Sequence, residues 1–454
     1  MLKKIEIWIL YLVLLLGIPI TISFGVLVRQ ELVGSTKLGR VSKTALFLTE
    51  IPKNIKKIFI EDLAVSDRFA LLDGFNGTPN SSESYLLLSR YDADLREGIV
   101  ELVDLTNFKV LHTWNPDIDE LNKSVQKGND FKYLDRDNNN SRYLMTHPIL
   151  LKDGGLMFKD ISPLVKIDSC SNLVFQNTHD QFHHSIETDI EGNIWVSSYI
   201  YPQSLPVEKV GRELMKTKTD RGYYDDAIVK LSPDGEILFE KSVSQIFIDN
   251  GLEYLLFSVG ENQFAQDPIH LNDIQPVDFD GDFWERGDVF LSLRNQSMVL
   301  LYRPSINKII WKGTGPFFHQ HDVDILNDHK ISVFNNNSKN FISGDVVDGH
   351  NEVIIYDFKT NEYSYYLNES LIKNDLRTPS QGRSQILPNG DLFVEETDYG
   401  RTLYFNSDGS LRWTHLNRAE NRKIYSVAWS RILYGSQDLQ IVNNFLQSRG
   451  ECND

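Results

Sequence analysis

Three residues in the stretch from position 270 to 337 have the types and spacing to do chemistry: His270, Arg294 and His321. His270 opens the run HLNDIQP, Arg294 closes the apolar run DVFLSLR, and His321 opens HDVDIL. Imidazoles beside a guanidinium suit a tetrahedral oxyanion. Arginine offers a planar pair of N–H donors, and each histidine can donate or accept. A histidine can also be a covalent nucleophile, and it leaves well once protonated. Sulfate and phosphate esters both fit this chemistry. No Walker-type or GxGxxG phosphate loop occurs in the chain, so nucleotide-dependent transfer is not expected.

The elements that position these residues repeat along the chain. In the clearest copy HHSIETDI (183–190) alternates like a strand, Glu191-Gly192-Asn193 turns, and NIWVSSYI returns. A long excursion leads to DAIVKLS, the turn Pro233-Asp234-Gly235, and EILFEKSV, which completes a strand A–B–C–D meander. Comparable meanders start at Tyr85, His147, His270, His321 and Arg383. Repeats of this kind close radially and leave no long sheet edge exposed. The expected fold is therefore all-β, a six-bladed β-propeller over residues 84–454, with YSVAWSRILYGSQDLQIV supplying closing strands.

Register then places the chemistry. Strand A is innermost in every blade, so His147, His184, His270, His321 and Arg383 should share one mouth of the central channel. Strand B should bring Arg294 back to the level of His270. His183 should face away from His184, because strand residues alternate. Excursions 201–224 and 335–351 should roof this mouth; the first carries Tyr201, Arg212, Lys216, Tyr223 and Tyr224, the second Asn335, Asn336 and Asn337. The expected catalytic set is His184, His270, Arg294 and His321. His147, Arg383, Asn335, Tyr223 and Tyr224 are expected to bind substrate. A lone histidine at a strand start is ordinarily a hydrogen-bonded channel plug, and a tyrosine in a loop ordinarily packs that loop. Several histidines at one mouth beside an arginine favour function.

Composition sets the boundaries. A formal charge of -17 argues against nucleic acid as a partner. It does not argue against a small anion, which a few buried His and Arg can hold locally. Residues 7–28 carry no charge, and that length of helix spans a bilayer core of roughly 30 Å. Lys3 and Lys4 precede them, and no A-x-A-like cleavage site follows, so a signal anchor is preferred over a cleaved signal. Residues 1–6 form a short tail, and 29–83 a stalk and linker whose helix should break at Pro52. The globular part is expected outside the cytoplasm, periplasmic or extracellular. Arg29, Lys37, Arg40 and Lys43 blunt the charge argument, so this expectation rests on the anchor being first and single. Cys170 and Cys452 either pair or stay free thiols. Asp278, Asp280 and Asp282 alternate as at the start of a calcium loop, but the distal Glu is missing and a solvated turn is preferred. No other cofactor is expected.

The blocks HHSIETDIEGNIWV, HLNDIQP with DVFLSLRNQS, and WKGTGPFFHQHDVDILNDHKISVFNNN resemble the bacterial arylsulfotransferases that need no nucleotide sulfate donor. The resemblance runs in order over residues 140–420 and is strongest at 270–337. It implies a six-bladed propeller in which His321 takes a sulfuryl group from a phenolic sulfate ester and passes it to a phenolic acceptor. It also implies that Arg294 binds the sulfuryl oxygens, while His270 and His184 stabilise the group in transfer and move the phenol proton. The family's FDN reads Phe334-Asn335-Asn336 here, and the separate N-terminal β domain of some members is replaced by the anchor and stalk. A reading of another class stands beside this one: a membrane-anchored propeller that holds sulfated or phenolic ligands without turnover.

Overall fold

The computed structural model describes residues 7–32, 38–59, 63–69, 72–125, 131, 134–179, 181–211, 222–258, 264–341 and 344–448. Arg212, Lys216 and Cys452 lie outside them. The fold is a six-bladed β-propeller in which every blade is an antiparallel sheet of at least four strands. The second blade is Thr146–Leu150, Leu156–Lys159, Leu164–Ile167 and Leu173–Asn177. The third is Gln181–Thr188, Ile194–Tyr199, Asp226–Leu231 and Ile237–Ser242, and the fourth Leu271–Pro276, Val289–Leu293, Met298–Arg303 and Lys308–Gly313. The fifth is Val323–Ile325, Lys330–Asn335, Glu352–Asp357 and Glu362–Tyr365, and the sixth begins Arg383–Ile386, Leu392–Glu396, Arg401–Phe405, Leu411–Leu416.

The first blade closes the ring. Its inner strand is Arg431–Leu433 from the end of the chain, which pairs with Tyr85–Asp92; Glu97–Asp104 and Lys109–Trp114 follow outward. Tyr85 therefore opens a second strand, where the sequence pattern placed a first. Beyond Arg431–Leu433 the chain forms the helix Gly435–Ser448, where strands were expected through residue 442. The apolar residues Leu439, Val442, Phe445 and Leu446 recur at helical spacing. Phe445 stacks on Trp114 with ring centroids 5.3 Å apart. Gly74–Gly77, within the stretch expected as linker, adds a fifth strand to the outer edge of the sixth blade.

The inner strands of the sheets are buried on both faces, which explains near-continuous apolar runs such as Val289–Leu293. The alternate residues of this strand serve two cores: Leu291 and Leu293 pack towards the third blade, Phe290 towards the fifth. Each such side chain contributes about 1.5–3 kcal/mol by leaving water. Before the propeller, the helix Ile7–Leu32 includes a span, Tyr11–Gln30, long and apolar enough to cross a membrane. A second helix, Gly39–Phe59, packs on it and runs through Pro52 without the expected break.

Candidate active site

The inner strands deliver their histidines to the axis by leaving regular β geometry. One residue other than glycine per blade, within or just before the inner strand, has a left-handed backbone: His147, His184, His270, His319, Gln381 and Trp429. Such conformations cost about 1–3 kcal/mol each and persist only where the surroundings over-determine them. In the third blade, pairing shifts between His183 and Ile186, and His184 has φ +51°. A bulge of this kind re-aims a side chain. His183 accordingly stacks on Tyr199 at 3.9 Å, while His184 turns to His270, with their Nε2 atoms 3.2 Å apart. The His184 ring centroid lies 6.1 Å from that of His321.

Each imidazole is held by a specific partner. His270 donates Nδ1–H to Asp267 Oδ2 at 2.6 Å, which leaves its Nε2 facing His184. Its backbone N–H is accepted by Asp226 Oδ2 at 3.0 Å. His321 Nδ1 lies 2.6 Å from Asn336 Oδ1, and its Nε2 accepts the backbone N–H of Gln381 at 3.0 Å. Gly382 (φ +83°) lets that loop pass, because a Cβ there would lie 2.8 Å from each of Glu395 O, Phe334 and Thr378. Strand pairing sets Arg294 beside His270, its backbone N–H donating to His270 O at 3.0 Å. Its guanidinium donates to Asn295 Oδ1 at 2.8 Å and to Asp345 Oδ2 at 2.7 Å.

Electrostatics keep His184 and His321 neutral. Burial pulls His184 well below the ordinary histidine range, and the neighbouring His270, His183 and His321 add to it. Burial does the same to His321, reinforced by the charge of Arg294 and outweighing the Asn336 hydrogen bond. Neutral imidazole is the form with a free electron pair for attack. Beneath His184, the buried Lys159 donates Nζ–H to the His184 carbonyl. Burial pulls that amine down as well.

The expected site residues divide into three groups. His184, His270 and His321 converge, with Arg294 at their edge. His147 and Arg383 meet each other, His147 Nε2 to Arg383 Nη1 at 3.0 Å, and both are buried. His147 Nδ1 accepts the Ile186 N–H at 3.1 Å, and its ring lies 5.2 Å from Trp429. These two belong to a closed polar layer with Glu187 and Asp322 rather than to an open mouth. Tyr223 does not reach the channel: its hydroxyl donates to Asp225 and its ring sits in an inter-blade core. Tyr224 is half-buried against Tyr199 at 4.8 Å. Asn335 braces a loop, accepting the Phe318 N–H and donating to Glu352. Asp278 and Asp280 accept the backbone N–H groups of Ile190 and Arg286. No group of three or more His, Cys, Asp or Glu is gathered to hold a metal among the described residues.

Several participants escaped the sequence pattern. Asn336 and Asp267 fix the two imidazoles, Gln381 covers His321 Nε2, and Asp345 reaches Arg294 from a roofing hairpin. Trp429 lies against three of the histidine rings, at 5.2 Å from His147, 6.3 Å from His184 and 6.2 Å from His321. Its place two residues before the closing strand was the one signal available. His319, half-buried near Arg294 and Asp345, had none.

Together these features define a propeller with a histidine–arginine cluster at its axis, suited to holding a small oxyanion. The sequence model of the arylsulfotransferase (ASST) family matches residues 147–418, more than half of the chain and all four converging residues. The chain belongs to the arylsulfotransferase family, and with it goes an arylsulfotransferase-like function on small aryl substrates. No curated protein sequence matches it significantly. Solved structures with overlapping folds include a protein of unknown function from Bacteroides caccae, 11% identical, covering 76% of this chain and 98% of that one, TM-score 0.44. A streptogramin B lyase is 11% identical over 79% of this chain and 96% of its own, TM-score 0.36. A virginiamycin B lyase from Staphylococcus aureus is 10% identical over 61% and 72%, TM-score 0.33. Likeness at this level carries no functional inference.

Proposed function

We propose that the protein transfers sulfuryl groups between phenols through a sulfohistidine at His321. The observation that carries this reading is the hydrogen bonding around His321, which assigns its tautomer. Asn336 donates its amide hydrogens to the carbonyls of Thr378 and Gln381, so its Oδ1 must accept from Nδ1–H of the ring. The electron pair is thereby left on Nε2, in a ring held neutral by burial and Arg294.

In the first half-reaction Nε2 attacks the sulfur of an aryl sulfate. The bond from sulfur to the aryl oxygen breaks, and the phenolate leaves against the N–H of the His184–His270 pair and is protonated by solvent. In the second, that pair takes the acceptor phenol's proton and returns it to solvent, the phenol oxygen attacks sulfur, and the N–S bond breaks. Arg294 binds the sulfuryl oxygens, which carry the ester's negative charge. The Gln381 N–H must release Nε2 on attack, a loss of about 1 kcal/mol. No step calls for a cofactor. The helix Ile7–Leu32 anchors the enzyme with its propeller outside the cytoplasm.

One observation favours a binding module without turnover: His321 is 1% exposed and both its ring nitrogens are engaged. One experiment separates the two. The full-length chain in detergent is given a nitrophenyl sulfate with and without a phenol acceptor, and the peptide carrying His321 is analysed for an acid-labile sulfo adduct. Acceptor-dependent nitrophenol release, with an adduct lost in His321→Ala, is expected. Folded protein that gives neither release nor adduct across several donors leaves the binding module standing.

A further inference from the structure

We propose that Asp345 is a latch: its carboxylate occupies the donor's place on Arg294 and is exchanged for sulfuryl oxygens when an aryl sulfate binds. The proposal rests on reading Arg294 as the sulfuryl-binding group. Asp345 Oδ2 takes the Nη2 donor of Arg294 at 2.7 Å, and the two side chains are 26% and 13% exposed. Carboxylate and sulfate oxygens compete for the same planar donors. Among the described residues Asp345 makes no other side-chain hydrogen bond.

The supporting element is built for this contact. Between the second and third strands of the fifth blade, Ser338–Phe341 pairs with Gly344–Val347, setting Asp345 opposite Asn340. The base of this hairpin is tied without Asp345. Asp348 donates its N–H to Asn337 O at 2.8 Å, Asn337 Nδ2 donates to Asp348 O at 2.6 Å, and Lys339 pairs with Asp348. It stands on two left-handed residues, Asn337 (φ +49°) and Gly349 (φ +88°). The carboxylate can thus leave Arg294 without undoing the hairpin.

A tethered carboxylate competes at high effective concentration. A bare anion has only the guanidinium and imidazoles to set against it, whereas an aryl sulfate adds its ring. Asp345 therefore weakens every anion at Arg294 by the same factor, and an ester, whose ring adds binding of its own, still occupies the site where bare sulfate no longer does.

The test is inorganic sulfate binding by titration calorimetry on full-length wild type, Asp345→Asn and Asp345→Glu, alongside nitrophenyl sulfate turnover. Asp345→Asn should bind sulfate about tenfold more tightly, the equivalent of one lost competing contact. Its KM for the ester should fall by a similar factor, and Asp345→Glu should stay near wild type in both. Unchanged or weaker sulfate binding by folded Asp345→Asn would overturn the latch and make Asp345 a holder of Arg294. Absence of sulfate binding in all three proteins would overturn it too. Turnover reports separately: tighter sulfate binding without any transfer keeps the latch and removes the transferase reading, and transfer without tighter binding does the reverse.

Discussion

The family's Phe-Asp-Asn reads Phe334-Asn335-Asn336 in this chain, and the two asparagines have separate tasks. Asn336, the retained position, fixes the tautomer of His321. Asn335, the exchanged one, accepts the N–H groups of Phe318 and Asn337 and donates Nδ2–H to Glu352 Oε2 at 2.8 Å. An aspartate could keep the two acceptor bonds but would set a second carboxylate against Glu352. Asn335→Asp should therefore cost about 1–3 kcal/mol of stability, the price of a buried acceptor facing another acceptor. Denaturant unfolding at pH 7 measures it. In a Glu352→Gln background the same change should be nearly neutral. Equal costs in both backgrounds would show that Glu352 is not the reason for the asparagine.

At the scale of elements, the alternation of single strands found the right histidines for an incomplete reason. His184 does face the axis and His183 does not, but a bulge and a left-handed backbone produce the split. The six meanders were legible because Gly- and Asp-containing turns punctuate apolar runs. The closing strand was legible only as a tendency, since Arg431–Leu433 is three residues long and its partner is more than three hundred positions away. Asn336 and Asp345 lay in the excursion expected to roof the mouth, but their roles were not legible, and Gln381 was not legible as a site residue at all, because loop geometry rather than strand register brings the three in. The Gly74–Gly77 strand escaped likewise, having only Phe75 as an apolar anchor. Phe75 pairs with His415, with ring centroids 4.6 Å apart. Burial, helped by Arg90, pulls His415 down to about 3. Above the unfolded value near 6.5 both states are neutral and this residue adds no pH dependence. As pH falls below 6.5 the unfolded chain takes up a proton that the folded one refuses, so stability is lost until about pH 3. Between pH 8 and pH 5, His415→Leu should gain roughly 2 kcal/mol relative to wild type, at about 1.4 kcal/mol per pH unit below 6.5. Urea unfolding of both proteins at the two pH values gives the difference, and a pH-independent difference would place His415 in contact with water.

The whole molecule is a ring, and its closure runs through the site. The closing segment threads beneath the histidines: Glu395 accepts the backbone N–H groups of Trp429 and Ser430 at 2.6 and 2.8 Å, which seats the Trp429 ring against His147, His184 and His321. Two residues on, Arg431 ties the first blade to the next two. Its Nε donates to Pro148 O at 3.0 Å, its Nη1 to Glu187 Oε2 at 3.0 Å, and its Nη2 to Ile186 O. The Arg431 and Glu187 side chains are only 15% and 13% exposed, so neither charge is well hydrated without the other. Removing one partner of such a pair leaves an uncompensated charge and costs about 3–5 kcal/mol, whereas removing both is far milder. Because these charges keep some access to water, Arg431→Met should lie at the lower end, about 3 kcal/mol by denaturant unfolding. Adding Glu187→Gln should return a large part of that loss. If the single change left stability within about 0.5 kcal/mol of wild type, the range of an ordinary surface substitution, the ring would be closed by its three paired residues and apolar packing alone. A loss that Glu187→Gln does not relieve would assign Arg431's contribution to the two carbonyls it caps.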